Sequence, residues 1–273
     1  MENYVLAILR ENKFDITYLY NNAAISFAEL FECIVIQGEK PEYSSIIPRI
    51  QDTLKQMEII TLKLQMQMDY EKVIVEIENC KKNEFILVKV KPDFTKSKLF
   101  ARGFRDDHYV FAKYNSGVFE IFNDIPEKII KTTTDELADM YAGNYFLLSI
   151  NRDFSQKDLQ LLWNNRKDMP QHLEALSVSI DEFQSIEDIG IKLRNMLGVL
   201  KTTRYRLKEY YANYVNTEFL TAYLQLIERQ YAIVEYYNLR KVNEIQKYFK
   251  LYKEVQKADI ENMHMLCKKL EEI

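Results

Sequence analysis

The sequence predicts an α+β protein in two parts, a mixed α/β half over residues 1–153 and an all-helical bundle over residues 154–273. Three observations predict it. Apolar residues recur at helical spacing near the start of the chain. Aromatic and β-branched runs gather between residues 85 and 150. Beyond Asp153 the strand pattern stops, and Pro170, Gly190 and Gly198 are the only proline and glycines left in 120 residues.

The elements follow in order. Val5, Leu6, Ile8 and Leu9 lie within Glu2 to Arg10 at a helical period that ends near Asn12. Ser45 to Met57 and Asp69 to Asn83 repeat that period, with Asp69 placed to cap the second helix ahead of Val73, Ile74 and Ile77. Phe85 to Val90, Tyr109 to Tyr114 and Val118 to Phe122 read as strands, the last two joined by Asn115-Ser116-Gly117, a hairpin turn of three residues. Thr134 opens a helix through Asp135 and Glu136, and Tyr145 to Ile150 is a further strand. The helical half divides into Ser155 to Leu173, Ile189 to Val215, Glu218 to Leu239 and Val242 to Glu272, with Ser155 and Asp158 resembling a capping box.

Composition narrows the function. With 47% hydrophobic residues the chain can bury a real core, and its apolar runs are far shorter than the roughly 20 residues a membrane span needs. The start MENYVLAILRENKFD has the wrong charge order for a secretory signal, which places the protein in the cytoplasm and off the membrane. A net charge of −4 argues against nucleic-acid binding. The first half carries 19 basic against 24 acidic residues and the second 18 against 17. Cys33, Cys80 and Cys267 lack the spacing of a disulfide framework or zinc site. No Walker loop, GxGxxG, HExxH or GxSxG occurs, and no cofactor is implied.

Of three histidines, His172 and His264 sit in polar helical contexts and read as surface residues. His108 opens the strand Asp106-Asp107-His108-Tyr109-Val110, and Asp124 follows 16 residues later at the end of its hairpin partner. A three-residue turn brings the two strand ends side by side. An aspartate there fixes the imidazole in one tautomer and stabilises its protonated form, the orienting half of a Cys-His-Asp device. The ordinary alternative is that His108 starts a strand and Asp124 caps a turn before Pro126.

On these residues a family resemblance appears. The order of two helices, then KNEFILVKVKPDF, DDHYVFAKYN, VFEIFNDIP and TTTDELADMYAGNYFLLSINR, resembles the papain-like fold of the peptidase C39 and butirosin-type acyltransferase group. The tail RNMLGVLKTTRYRLKEYY with QLIERQYAIVEYY is similar to the helical appendage of the butirosin-type enzymes. The resemblance implies amide-forming acyl transfer from a carrier-protein thioester to a small amine in specialised-metabolite assembly, with His108 as base and Asp124 as its orienter. The family's nucleophilic cysteine opens the first helix in a context like C-x-E-N. Here that helix begins Met1-Glu2-Asn3, so the cysteine would fall immediately before Met1. Cys33, among apolar and acidic neighbours, and Cys80, at a helix end, read as structural thiols. The rival expectation is a non-catalytic module that keeps the fold to hold a carrier protein or partner enzyme.

Two features admit two readings each. Arg194, Lys201, Arg204 and Lys208, spaced 7, 3 and 4, fall on one side of a helix, where they either dock an acidic partner or form a solvated face. The aromatic residues of the last two helices, Phe219, Tyr223 and Tyr248 among them, either line a ligand groove or serve as core and as a homodimer contact through the helical half.

Overall fold

The structure, a computed structural model, describes residues 2–39, 49–67, 69–97, 108–115, 117–124, 127–164 and 177–272. It is mixed α/β with a helical C-terminal region, and it divides into two compact units. The first comprises Met1–Asp15 with Gln51–Ser155, the second Ile16–Ile50 with Gln156–Ile273. Residues 16–39 fall in the second unit.

In the first unit, α1 (Glu2–Glu11) buries Tyr4, Val5, Leu6, Ile8 and Leu9. The chain returns as α3 (Ile50–Gln56) after α2 of the second unit (Phe27–Leu30). One antiparallel sheet follows: β1 (Ile60–Met66), β2 (Glu84–Val90), β3 (His108–Asn115), β4 (Val118–Asp124), β5 (Glu127–Thr132) and β6 (Tyr141–Ile150), in spatial order β1-β6-β2-β3-β4-β5. Between β1 and β2 runs α4 (Tyr70–Glu78), whose first turn is held by the Asp69 carboxylate accepting from the Glu71 amide, as the sequence predicts. After β2 come α5 (Pro92–Ser97) and later α6 (Thr134–Met140), the latter opened by a capping box of Thr133 and Glu136.

One face of the sheet is closed by a core in which Val73, Ile74 and Ile77 of α4 meet Ile86, Val88, Val90, Val110, Ala112, Phe119, Ile121 and Tyr145. Alternation sends Phe85, Leu87, Tyr109, Phe111, Phe122 and Phe146 to the other face. There Phe111 packs on Phe85 and Phe122 at ring separations of 6.0 and 5.4 Å, and Tyr109 packs on Phe146 at 5.1 Å.

The second unit is built on α9 (Ile189–Tyr211), α10 (Leu220–Leu239) and α11 (Ile245–Glu271), preceded by α7 (Gln156–Asn164) and α8 (Ile180–Gln184). On α9 Leu193, Met196, Leu197, Leu200, Leu207, Tyr210 and Tyr211 form a buried stripe at three- and four-residue steps. Segment 16–39 supplies a 3₁₀ stretch, Ile16–Ala23, then α2 and a π-helical turn, Phe31–Ile36. Phe27 and Phe31 pack on Tyr252 of α11 at 5.7 and 5.0 Å. Among the described residues no helix is long and apolar enough to cross a membrane.

Candidate functional site

His108 is the first residue of β3, register partner of Val90 at the end of β2. Its side chain points to the core face with Val110 and Ala112 and is only 5% exposed. Across the hairpin, Nε2 meets Oδ1 of Asn123 at 2.5 Å, and Asn123 is itself buried. This contact of the ring is made by the residue before Asp124. Asp124 closes β4, paired with Glu127, and its side chain lies outside the described residues.

The register explains the difference. Pairing runs Phe111↔Phe122, Ala112↔Ile121, Tyr114↔Phe119 and closes at Asn115↔Val118, leaving two loop residues rather than three. Gly117, at φ +89°, supplies the left-handed conformation such a tight hairpin needs. A three-residue loop would set position 108 opposite 124. One residue fewer shifts the ladder by one, and because side chains alternate, Asn123 is the side chain that shares the face of His108. Asn123 was findable from sequence by counting the parity of the turn.

An amide oxygen only accepts, so with Oδ1 facing the ring it is Nε2 that donates in this contact. Asn123 therefore orients the ring through Nε2 without adding charge. Beside it the sheet is irregular: Val88 pairs with Tyr145 but Val90 with Tyr141, a bulge in β6 that contains Gly143 at φ +87°. The bulge turns Tyr141 so that its hydroxyl donates to the Gln67 carbonyl at 2.6 Å, and Tyr109 donates to Asn144 Oδ1 at 2.9 Å. Burial, with Tyr145 and Tyr109 nearby, pushes the Tyr141 phenol up to about 12, so it acts as a donor and not as a base.

None of the three thiols is activated. Burial raises Cys33, and Glu39, Glu32 and Glu29 add to it. Cys80 is pushed up to about 11 by burial, with Glu84 and Glu76 contributing. Burial and Glu271 raise Cys267. Each is a protonated thiol at neutral pH. Among the described residues no cluster of three His, Cys, Asp or Glu could hold a metal ion. Met1 and His172 lie outside the described residues, and His264 is exposed on α11.

The basic stripe of α9 is corrected at its centre. Arg204, expected to share a solvent-facing row, is 1% exposed and bonded to Asp259. Burial alone would lower its pKa, but the Asp259 carboxylate and Tyr223 beside it hold it above the ordinary arginine range. It presents no charge to a partner. Lys201 pairs with Glu228 of α10 at 2.6 Å, Lys208 donates to Thr221 at 2.9 Å, and half-buried Arg194 donates to Asn195 at 3.1 Å. Lys201 and Lys208 thus meet α10, whereas Arg204 meets α11.

No protein-family model and no curated protein matches the chain.

Proposed function

We propose that the chain is a papain-like cysteine acyltransferase homologue of the butirosin type, with His108 as its base and Asn123 as the residue that orients it. The observation that carries this reading is the buried Nε2 to Oδ1 contact at 2.5 Å between the start of one strand and the end of its hairpin partner. In the proposed chemistry Nδ1 takes the proton of a thiol. The thiolate attacks the carbonyl of a carrier-protein thioester, and the carrier leaves as its thiol with that proton. A small amine then attacks the acyl-enzyme, forming the amide and returning the enzyme thiol. The resemblance places that thiol at the N-terminal end of α1, where the helix dipole lowers a thiol pKa. The protonated states of Cys33, Cys80 and Cys267 support their exclusion from the role.

Those raised thiols also favour a second reading, a non-catalytic module that holds a carrier protein or partner enzyme. One experiment separates the two. A variant with a cysteine inserted between Met1 and Glu2 is given an acyl-loaded carrier protein and a small amine, and amide product is measured by mass spectrometry. The enzyme reading expects amide from this variant, at least about tenfold less when His108→Ala is added, and none from the 273-residue sequence without the inserted cysteine. Carrier binding without amide in any variant supports the module. Amide from a chain with all three native cysteines replaced and none inserted would overturn the proposed chemistry.

A further inference from the structure

The two edges of the sheet are not alike. At one end β5 reads Glu127-Lys128-Ile129-Ile130-Lys131-Thr132, an edge guarded by two lysines around Ile129. At the other, among the described residues, β1 pairs with β6 alone over its whole length, Ile60↔Ile150 to Met66↔Asn144. It alternates strictly, with Ile60, Leu62, Leu64 and Met66 on one face and Thr61, Lys63 and Gln65 on the other. Leu64 is 51% and Met66 73% exposed. A long edge strand with bare apolar side chains is a template for another strand unless charge or a bulge blocks it, and β1 itself carries a single lysine, Lys63.

The register carries the apolar face to that edge. Leu64 pairs with Phe146, Phe146 with Leu87, Leu87 with Phe111, Phe111 with Phe122 and Phe122 with Ile129, so one row crosses all six strands. It ends at Leu64 with no neighbour beyond it among the described residues.

We propose that a second copy of the chain completes this edge, its β1 lying antiparallel to the first about a two-fold axis at Leu64. The choice of occupant rests on complementarity of the strand with itself. Antiparallel partners about such an axis must share a face, which restricts the centre to a residue of the strand. Centred on Lys63, the pairing sets two lysines directly opposite, which is unfavourable. Centred on Leu64, it sets Leu64 on Leu64, Leu62 on Met66 and Lys63 on Gln65. Every apolar side chain then meets an apolar one, the lysine meets a neutral acceptor, and the row through Phe146 continues into the partner sheet.

Sedimentation analysis of the natural chain across a concentration series is expected to reach the mass of two chains. Leu64→Lys, which sets like charges on the axis, is expected to return it to one chain, whereas Ile129→Lys on the opposite edge leaves the dimer intact. Leu64→Cys, treated with the thiol oxidant diamide, is expected to form a cross-linked dimer on a non-reducing gel. Directly opposed Cα atoms lie about 4.5–5.5 Å apart, within disulfide reach, and Lys63→Cys, which faces Gln65, is expected to cross-link far less. A single-chain mass at every concentration overturns the proposal. So does a dimer that survives in folded Leu64→Lys, or Lys63→Cys linking as well as Leu64→Cys. Should Leu64→Lys fail to fold, the two cysteine variants decide.

Discussion

The Arg204 guanidinium forks onto the Asp259 carboxylate, Nε to Oδ1 at 2.6 Å and Nη2 to Oδ2 at 3.0 Å, while Nη1 donates to the Ile25 carbonyl at 2.8 Å. The Tyr223 hydroxyl donates to the same carboxylate at 2.5 Å. Segment 16–39, α9, α10 and α11 thus meet at one buried ion pair. Removing one partner strands the other charge in the core, so Asp259→Ala is expected to cost about 3–5 kcal/mol in urea unfolding. Replacing both ions together, Arg204→Met with Asp259→Leu, is expected to cost clearly less than the single change, because no charge is left behind.

The two glycines of α9 are expected to respond with opposite sign. A Cβ on Gly190 would lie 2.1 Å from Asn238 Oδ1 and 3.2 Å from the Tyr248 ring, where Asn238 also donates to the Gly190 carbonyl at 2.9 Å. Gly190→Ala is expected to destabilise by about 1–3 kcal/mol through overpacking and loss of that bond. At Gly198 the nearest atom is a Tyr231 ring carbon at 3.5 Å, ordinary contact. Gly198→Ala is expected to stabilise by about 0.5–1 kcal/mol, the helix preference of alanine. Thermal unfolding of both variants checks the pair.

Lys241 closes α10 in the left-handed region at φ +53°, with the Val242 amide reaching back to the Tyr237 carbonyl at 3.0 Å. That is a helix stop built for glycine, since a side chain is disfavoured there. Lys241→Gly is expected to raise stability by up to about 1 kcal/mol and Lys241→Val to lower it, read from the urea midpoint.

Stability is expected to fall in alkali. The Tyr141 phenol is raised to about 12, and Tyr223 and Tyr252 are raised by burial as well. A group whose pKa is higher folded than unfolded contributes stability that is whole below its unfolded pKa and is lost as pH rises toward the folded one. For tyrosine the unfolded value is about 10, so the loss sets in there and runs to about 12 for Tyr141. Urea midpoints measured upward from pH 9 check it. Tyr141→Phe is expected to start from lower stability, having lost its bond to the Gln67 carbonyl, and to fall less steeply.

Much of this was legible in the sequence, and the exceptions have physical causes. The helical stripes of α9, α10 and α11, the Asp69 cap and the hairpin were readable because each is a local pattern. Strand β1 was readable too, from the alternation of Ile60, Leu62, Leu64 and Met66, though no strand was expected there. Segment 16–39 was not, because 3₁₀ and π turns have periods that leave no 3.6-residue stripe. Asn123 was hidden behind one residue of turn length, since a ladder shifted by one exchanges the faces. Arg204 was hidden because a lysine or arginine stripe looks the same from sequence whether it meets solvent or a buried aspartate from a helix 55 residues away.

The central claim is that His108, fixed by Asn123, serves a thiol at the start of α1. The most direct test is the pH dependence of iodoacetamide alkylation at a cysteine inserted between Met1 and Glu2, followed by peptide mass spectrometry with and without His108→Ala. The account expects that thiol to react as a thiolate well below the ordinary cysteine pKa of about 8.5, and to return toward it when His108 is removed. An inserted cysteine that titrates near the ordinary value in both chains would contradict it.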